Sequence, residues 1–289
     1  MTVSARPIVF AAAAGSLAAV GTALAGNSTG FADARADTED APDITNVSVS
    51  SDDGGTITLR ETVSNRDVPE SGDQLGFVFD VDQNPDTGSA LYGTEVAVVF
   101  DGGRLDVYRA GSDGYLSEET PRPPSLQATF SGGVATFSFK ASDLGITPGL
   151  GFNVTGTSFG GLGDADTAPD IRTFNYQMAA GAPPPALGPD TRAPLDDAVT
   201  AVGIPGLVAH LDYFASDGRG ATADTIRIFH GRRVIKTIRY RLEDTNPFVA
   251  YVVRWKVPSK PTGKYRFCVS SVDAAGNKSN VDCARIVIL

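Results

Sequence analysis

LGFVFDVDQNPDTGSALYGTEVAVVF, Leu75 to Phe100, is the stretch on which the fold turns. Two apolar runs, LGFVF and EVAVVF, flank a segment of Asp, Asn, Pro and Gly, the pattern of a hairpin with a long loop. If Asp80 pairs with Glu95, Val78 pairs with Ala97 and Gly76 with Val99, so both acids project from one face at the loop mouth. Between them Asp80, Asp82, Asn84 and Asp86 place a side-chain oxygen at every second position. Such groups repel one another unless water solvates them, a hard cation gathers them, or a substrate meets them as an acid and a base. The helix-loop-helix calcium pattern is not met, because Pro85 stands where its loop requires Gly and the flanks read as strands. Asp80 and Asp82 lie about 7 Å apart by strand rise. That spacing alone is compatible with inverting glycoside hydrolysis, but no apolar pocket or aromatic subsite accompanies it.

The same punctuation continues on both sides. ITNVSVSS and TITLRETV flank Asp53-Gly54-Gly55, SLQATF and VATFSFK flank Ser131-Gly132-Gly133, and RLDVYRA, GFNVTGTSF and IRTFNYQM complete a set of short alternating runs. Turn residues every 8 to 12 positions or so, without a long 3.6-residue period, predict an antiparallel β-sandwich over 44–180. KASDLG, Lys140 to Gly145, predicts one helical turn. GAPPPALGPDTRAPLD, residues 181–196, forbids a ladder and predicts a semi-rigid extended linker. LVAHLDYFAS, DTIRIFHG, RVIKTIRY, FVAYVVRWKV, KYRFCVSSV and DCARIVIL then supply a second sandwich over 197–289. Trp255 is its central aromatic, and Tyr265, Phe267 and Val269 alternate toward its core.

The chain begins with Arg6, an apolar run from Ile8 to Leu24 and the small-residue sequence Ala23-Leu24-Ala25. That reads as a secretory signal peptide over 1–25, cut before Gly26, followed by a polar acidic lead over 26–43. The mature chain then holds no span long enough for a bilayer, and the protein is expected to be secreted, outside the cell or on its surface. Residues 26–190 carry 25 acidic against 8 basic side chains, a balance of −17, whereas residues 191–289 carry 9 against 15, a balance of +6. Such an asymmetry fits two modules, the first suited to cations and unsuited to nucleic acid. Only Cys268 and Cys283 occur, and an oxidising exterior pairs them. If Asp273 faces Lys278 across Ala274-Ala275-Gly276-Asn277, the same register sets the two cysteines opposite each other.

These residues resemble known modules. From Ile44 to about Met178, DITNVSVSSDDGGTITLRETV, FVFDVDQNPDTG, YGTEVAVVF and DADTAPDIRTFNYQM are similar to secreted bacterial sandwiches related to family 9 carbohydrate-binding modules and DOMON-type domains. The resemblance implies a jelly-roll-like sandwich with a structural calcium site at Asp80, Asp82, Asn84, Asp86 and Glu95. It departs from the carbohydrate-binding relatives in having no Trp in this half, leaving Tyr92, Tyr108 and Tyr115 as the rings that could stack on a sugar. GKYRFCVSSVDAAGNKSNVDCARIVI resembles the last strands of bacterial immunoglobulin-like and fibronectin type III-like modules, which implies a spacer or adhesive unit. A second APDI, at Ala168 to Ile171 after Asp164 and Asp166, predicts an edge strand starting at its Pro. A second cation site at Asp164, Asp166 and Asp170 is the sharper alternative.

Catalytic patterns are scarce. No G-x-S-x-G elbow, H-E-x-x-H, phosphate loop or dinucleotide fingerprint occurs, and His210 and His230 both lie inside strand-like runs. The sequence therefore predicts an all-β, non-catalytic binding or scaffolding protein of two antiparallel sandwiches, jelly-roll-like and then immunoglobulin-like. Its partner is an extracellular or cell-wall ligand, with polysaccharide as one candidate. A carbohydrate-binding module and a carboxylate-dependent hydrolase are the rival readings.

Overall fold

The computed structural model describes residues 25–147, 150–161, 163–179 and 183–289, so the expected signal peptide lies, but for Ala25, outside the described residues. The first module packs two sheets face to face. One follows the order β1 (Ala25–Ala32), β2 (Ile44–Asp52), β3 (Thr56–Val63), β9 (Val134–Lys140), β8 (Gln127–Ser131). The other runs β11 (Ala165–Ala168), β10 (Gly151–Phe159), β4 (Gln74–Asp80), β5 (Val96–Asp101), β6 (Arg104–Ala110), β7 (Leu116–Thr120), with β12 (Phe174–Gln177) also on β10. Every second residue of β2, β3, β4 and β9 turns inward, and the two faces meet through Phe77 edge-on to Phe137 at 5.2 Å and Phe79 edge-on to Phe139 at 5.7 Å. The predicted helical turn is a 3-10 turn, Ala141–Leu144, closed by Gly145 in the left-handed region.

The second module has its own core. A three-stranded sheet, β13 (Leu195–Ala198), β15 (Val208–Ser216), β18 (Tyr251–Lys256), faces a five-stranded one. That second sheet is ordered β14 (Ala201–Gly203), β20 (Asp282–Ile288), β19 (Tyr265–Asp273), β16 (Ala221–His230), β17 (Arg233–Asp244). Leu211, Tyr213, Val253 and Trp255 pack against Ile226, Ile228, Phe267, Val269 and Ile286. Both sandwiches are thus built from the alternating runs that the sequence displays.

Five details differ from the sequence reading. The segment expected to stay free of any ladder over 181–196 does not do so to its end, since Leu195 and Asp196 already pair with Ser216 and Ala215 as the start of β13. The stretch taken as a polar lead begins with β1, whose small polar residues earn no burial but complete the ladder of β2 from Ala25 to Ala32. The second sandwich is not wholly antiparallel: after β13 the chain changes sheets, and β14 pairs in parallel with β20. Pro169 ends β11 instead of starting a strand, since it has no N–H to extend the ladder. Cys268 lies opposite Cys283 and is bonded to it, yet Lys278 bridges Val272 and not Asp273, because the β19–β20 register slips by one residue before the loop. The disulfide closes a separation of 15 residues and contributes about 3 kcal/mol in the chain-entropy account.

Candidate cation site at the domain junction

The hairpin register is the predicted one: Gly76 pairs with Val99 and Val78 with Ala97, and the Glu95 amide donates to the Phe79 carbonyl at 2.8 Å. Asp80 and Glu95 therefore meet at the loop mouth. Beyond β4 the chain leaves the strand, and Gln83, in the left-handed region at φ 58°, turns it back. Instead of the 7 Å of an extended strand, Asp80, Asp82 and Glu95 each bring one carboxylate oxygen within 4.8 Å of the other two. Gly88 permits the return, since a Cβ there would lie 2.4 Å from the Gly93 carbonyl oxygen.

The donors around this trio hold the carboxylates in place. Asp80, fully buried, accepts from the Asn84 amide at 3.0 Å and from Asn153 Nδ2 at 2.8 Å. Glu95 accepts from the Val81 amide and Thr87 Oγ1, both at 2.8 Å, and Asp82 from the Asn84 amide at 2.9 Å. Burial, joined by repulsion from Glu95, pushes the Asp80 carboxyl up to about 7, and burial likewise pushes Glu95 up to about 7. Carboxylates held this close are relieved by a proton or by a cation, and a set made only of oxygens selects a hard one such as calcium. The residues present fit that ion.

Not all five predicted ligands gather. Asn84 turns its Oδ1 to the Asp86 amide at 3.2 Å. Asp86 leaves the cluster altogether: Arg219, from the turn between β15 and β16, grips it bidentately at 3.0 and 2.7 Å and holds its carboxyl below the usual range. The expected trio Asp164, Asp166 and Asp170 is split as well. Burial opposes the charge on Asp164, but Thr38 Oγ1 and the Asp40 and Glu39 amides outweigh it and hold the group at about 2, as a cap on that turn. Asp166 instead groups with Asp33 and Asp37.

The acidic loop is also the docking element between the modules. Besides the Asp86–Arg219 pair, Arg192 of the linker donates to the Thr87 and Gly88 carbonyls, the latter at 2.7 Å. Tyr92, one of the three rings that could have stacked on a sugar, is instead buried and donates its hydroxyl to the Thr245 carbonyl across the junction at 2.6 Å. Asn246 Nδ2 reaches back to Thr167 Oγ1 and the Asp170 carbonyl. A groove of about 410 Å³ follows the seam, lined among others by Asp80, Gln83, Asn153, Arg172, Asn175 and Leu187. Of the three clustered carboxylates only Asp80 lines it, and both Asp80 oxygens already accept hydrogen bonds. Arg192, Arg219 and Thr245 carry no local motif and could not be picked out by spacing.

No family model matches the chain, and no curated protein matches it. Among solved structures, the fibronectin(III)-like modules of Clostridium thermocellum CbhA share 13% identity, with 81% of this chain and 86% of that chain covered and a TM-score of 0.25. A chimeric titin Z1Z2 tandem shares 13% identity over 82% of this chain and 92% of that chain, with a TM-score of 0.24. The N-terminal Ig1-2 module of the Drosophila receptor protein tyrosine phosphatase DLAR shares 10% over 82% and 91%, with a TM-score of 0.22. The β-sandwich architecture rests on the sheets themselves and not on these overlaps.

Proposed function

We propose that the protein is an exported, non-catalytic binding or spacer protein of the cell exterior, in which calcium held by Asp80, Asp82 and Glu95 stiffens the loop that docks the two modules. The observation that carries this reading is the double use of one loop, with the carboxylates of Asp80, Asp82 and Glu95 converging at its mouth and Asp86 clamped by Arg219 of the second module. A cation there would fix the shape against which Arg219 and Arg192 dock. The disulfide and the leader-like N-terminal sequence support the exterior setting.

Thermal unfolding in EDTA and then in calcium tests it. A ligand bound only by the folded state at a hundredfold excess over Kd stabilises by about 2.7 kcal/mol, which is roughly 5–10 °C for a chain of this size. Asp82→Asn, at an exposed ligand, removes the shift and keeps the fold. Superimposable curves with and without calcium would overturn the assignment.

The groove favours a second reading, capture of a polysaccharide. Asn175, Arg172 and Thr173 along its wall present the donors and acceptors that sugar hydroxyls need. Asn175 is exposed on β12, so Asn175→Ala leaves the core untouched and lowers retention on insoluble polysaccharide several-fold. Equal retention by both forms, or none by either, would remove this reading.

A further inference from the structure

A second acidic convergence lies on the other side of Arg219. Asp190 comes from the linker, Asp217 from the turn between β15 and β16, and Asp273 from the end of β19, and one carboxylate oxygen of each lies within 4.8 Å of the other two. Local donors occupy most of these oxygens. Asp190 Oδ1 accepts from the Arg192 amide at 3.1 Å, Asp217 Oδ1 from the Arg219 amide at 2.8 Å, and Asp273 accepts from the Asn277 amide and Nδ2, each at 2.8 Å.

Two oxygens accept no hydrogen bond: Asp190 Oδ2, which has Arg219 Nε at 3.6 Å, and Asp217 Oδ2. Asp217 is only 2% exposed, and its Oδ2 is buried with no hydrogen-bond partner. An orphaned carboxylate oxygen is costly in the interior, and the nearby cations do not serve it. Arg219 is directed at Asp86, with its Nε 3.6 Å from Asp190 Oδ2, and Arg192 spends both terminal nitrogens on the Thr87 and Gly88 carbonyls. A cavity of about 320 Å³, lined by Asp190, Asp217, Arg219, Ala221, Ala274 and Ala275, opens beside the cluster, and with Arg219 turned to Asp86 it leaves room for an ion with its waters.

We propose that Asp190, Asp217 and Asp273 bind a hard divalent cation of the calcium type, at a site separate from the acidic loop, and that this ion ties the linker to the second module. The ligands are carboxylates without His or Cys, which selects oxygen-seeking ions over zinc or copper. Three carboxylates, offset in part by the Arg219 guanidinium that Asp86 also shares, leave the site negative enough to attract a dication, and the orphaned Asp217 oxygen is the ligand that nothing else claims. The site does not depend on the acidic-loop assignment, since the two share no residue.

Equilibrium dialysis of the full chain against calcium counts the ions directly. Two bind the unaltered chain, one binds Asp217→Asn, one binds Asp82→Asn, and none binds the double variant. If the acidic loop holds no ion, the unaltered chain binds one, Asp82→Asn still binds one, and Asp217→Asn binds none, which sustains this site alone. Should Asp217→Asn lack a cooperative thermal transition, Asp190→Asn replaces it, because the one hydrogen bond its carboxylate accepts is from the Arg192 amide of the linker and its only other partner is Arg219 at 3.6 Å. An ion count and affinity unchanged in the folded Asp217 or Asp190 variant would overturn the proposal.

Discussion

Gly218→Val is expected to part the two modules while each keeps its own fold. A Cβ on Gly218 would lie 1.9 Å from the Pro85 carbonyl oxygen and 2.9 Å from its carbonyl carbon, both backbone atoms. Pro85 cannot retreat, because on its other side the space is closed by Gly93, where a Cβ would come within 2.4 Å of the Pro85 Cα. The acidic loop is thus gripped between two glycines, one from each module. Gly218 itself is outside the left-handed region, so a branched residue there brings no backbone strain of its own. Overpacking a fitted contact costs about 1–3 kcal/mol, and more where only backbone can give. Separation would release the Asp86–Arg219 and Tyr92–Thr245 contacts together. Small-angle scattering should show a larger radius of gyration for the variant, and protease should cut the proline-rich linker faster. An unchanged scattering profile would mean that the junction is not the seat of the modules' arrangement.

The second large effect concerns Glu61, which is fully buried between the sheets with neither carboxylate oxygen partnered. It lies over Gly156, where a Cβ would approach Glu61 Oε1 to 2.9 Å. Burial, with Asp166 adding to it, raises the Glu61 carboxyl well above its ordinary value of 4.5. An acid raised in the folded state contributes stability fully below its unfolded value and loses it as pH climbs toward the folded one. The cost is about 1.4 kcal/mol per pH unit across that window. Glu61→Gln keeps the volume and removes the titration. The variant and the unaltered chain should share one urea midpoint near pH 4, and between pH 5 and 7 the variant's midpoint should move above that of the unaltered chain. Parallel midpoints at both pH values would show that solvent or an unseen donor satisfies the group.

Glu61 was legible in principle. In TITLRETV the inward parity runs Ile57, Leu59, Glu61, Val63, so a charged residue stands where the strand must face the core. The hairpin register was legible, because a one-residue slip would turn the partner strand's inward residues away from the face of Phe77 and Phe79, and the pairing that keeps them together brings Asp80 to Glu95. Strand β1 was not, since AGNSTGFA has almost no apolar alternation and is ordered by a neighbour's free edge. Asp86 looked like a fifth loop oxygen because its partner, Arg219, lies 133 residues away. The linker read as a spacer for the same reason: its prolines argue against a ladder, but composition reports neither that Leu195 and Asp196 open β13 nor that Arg192 fastens the segment to the loop.

The parallel pairing of β14 with β20 gives the second module a mechanical character. A pull along the chain reaches β14 from its start and β20 from its end, so the strands are driven to slide past each other. The pairs Ala201–Ile286, Val202–Val287 and Gly203–Ile288 then bear the load in shear, all at once, and cannot open one after another like a zip. Behind them the Cys268–Cys283 bond shunts the force from β20 to β19 and leaves the intervening loop slack. Tension would thus be held at the module's edge, with its core sheltered.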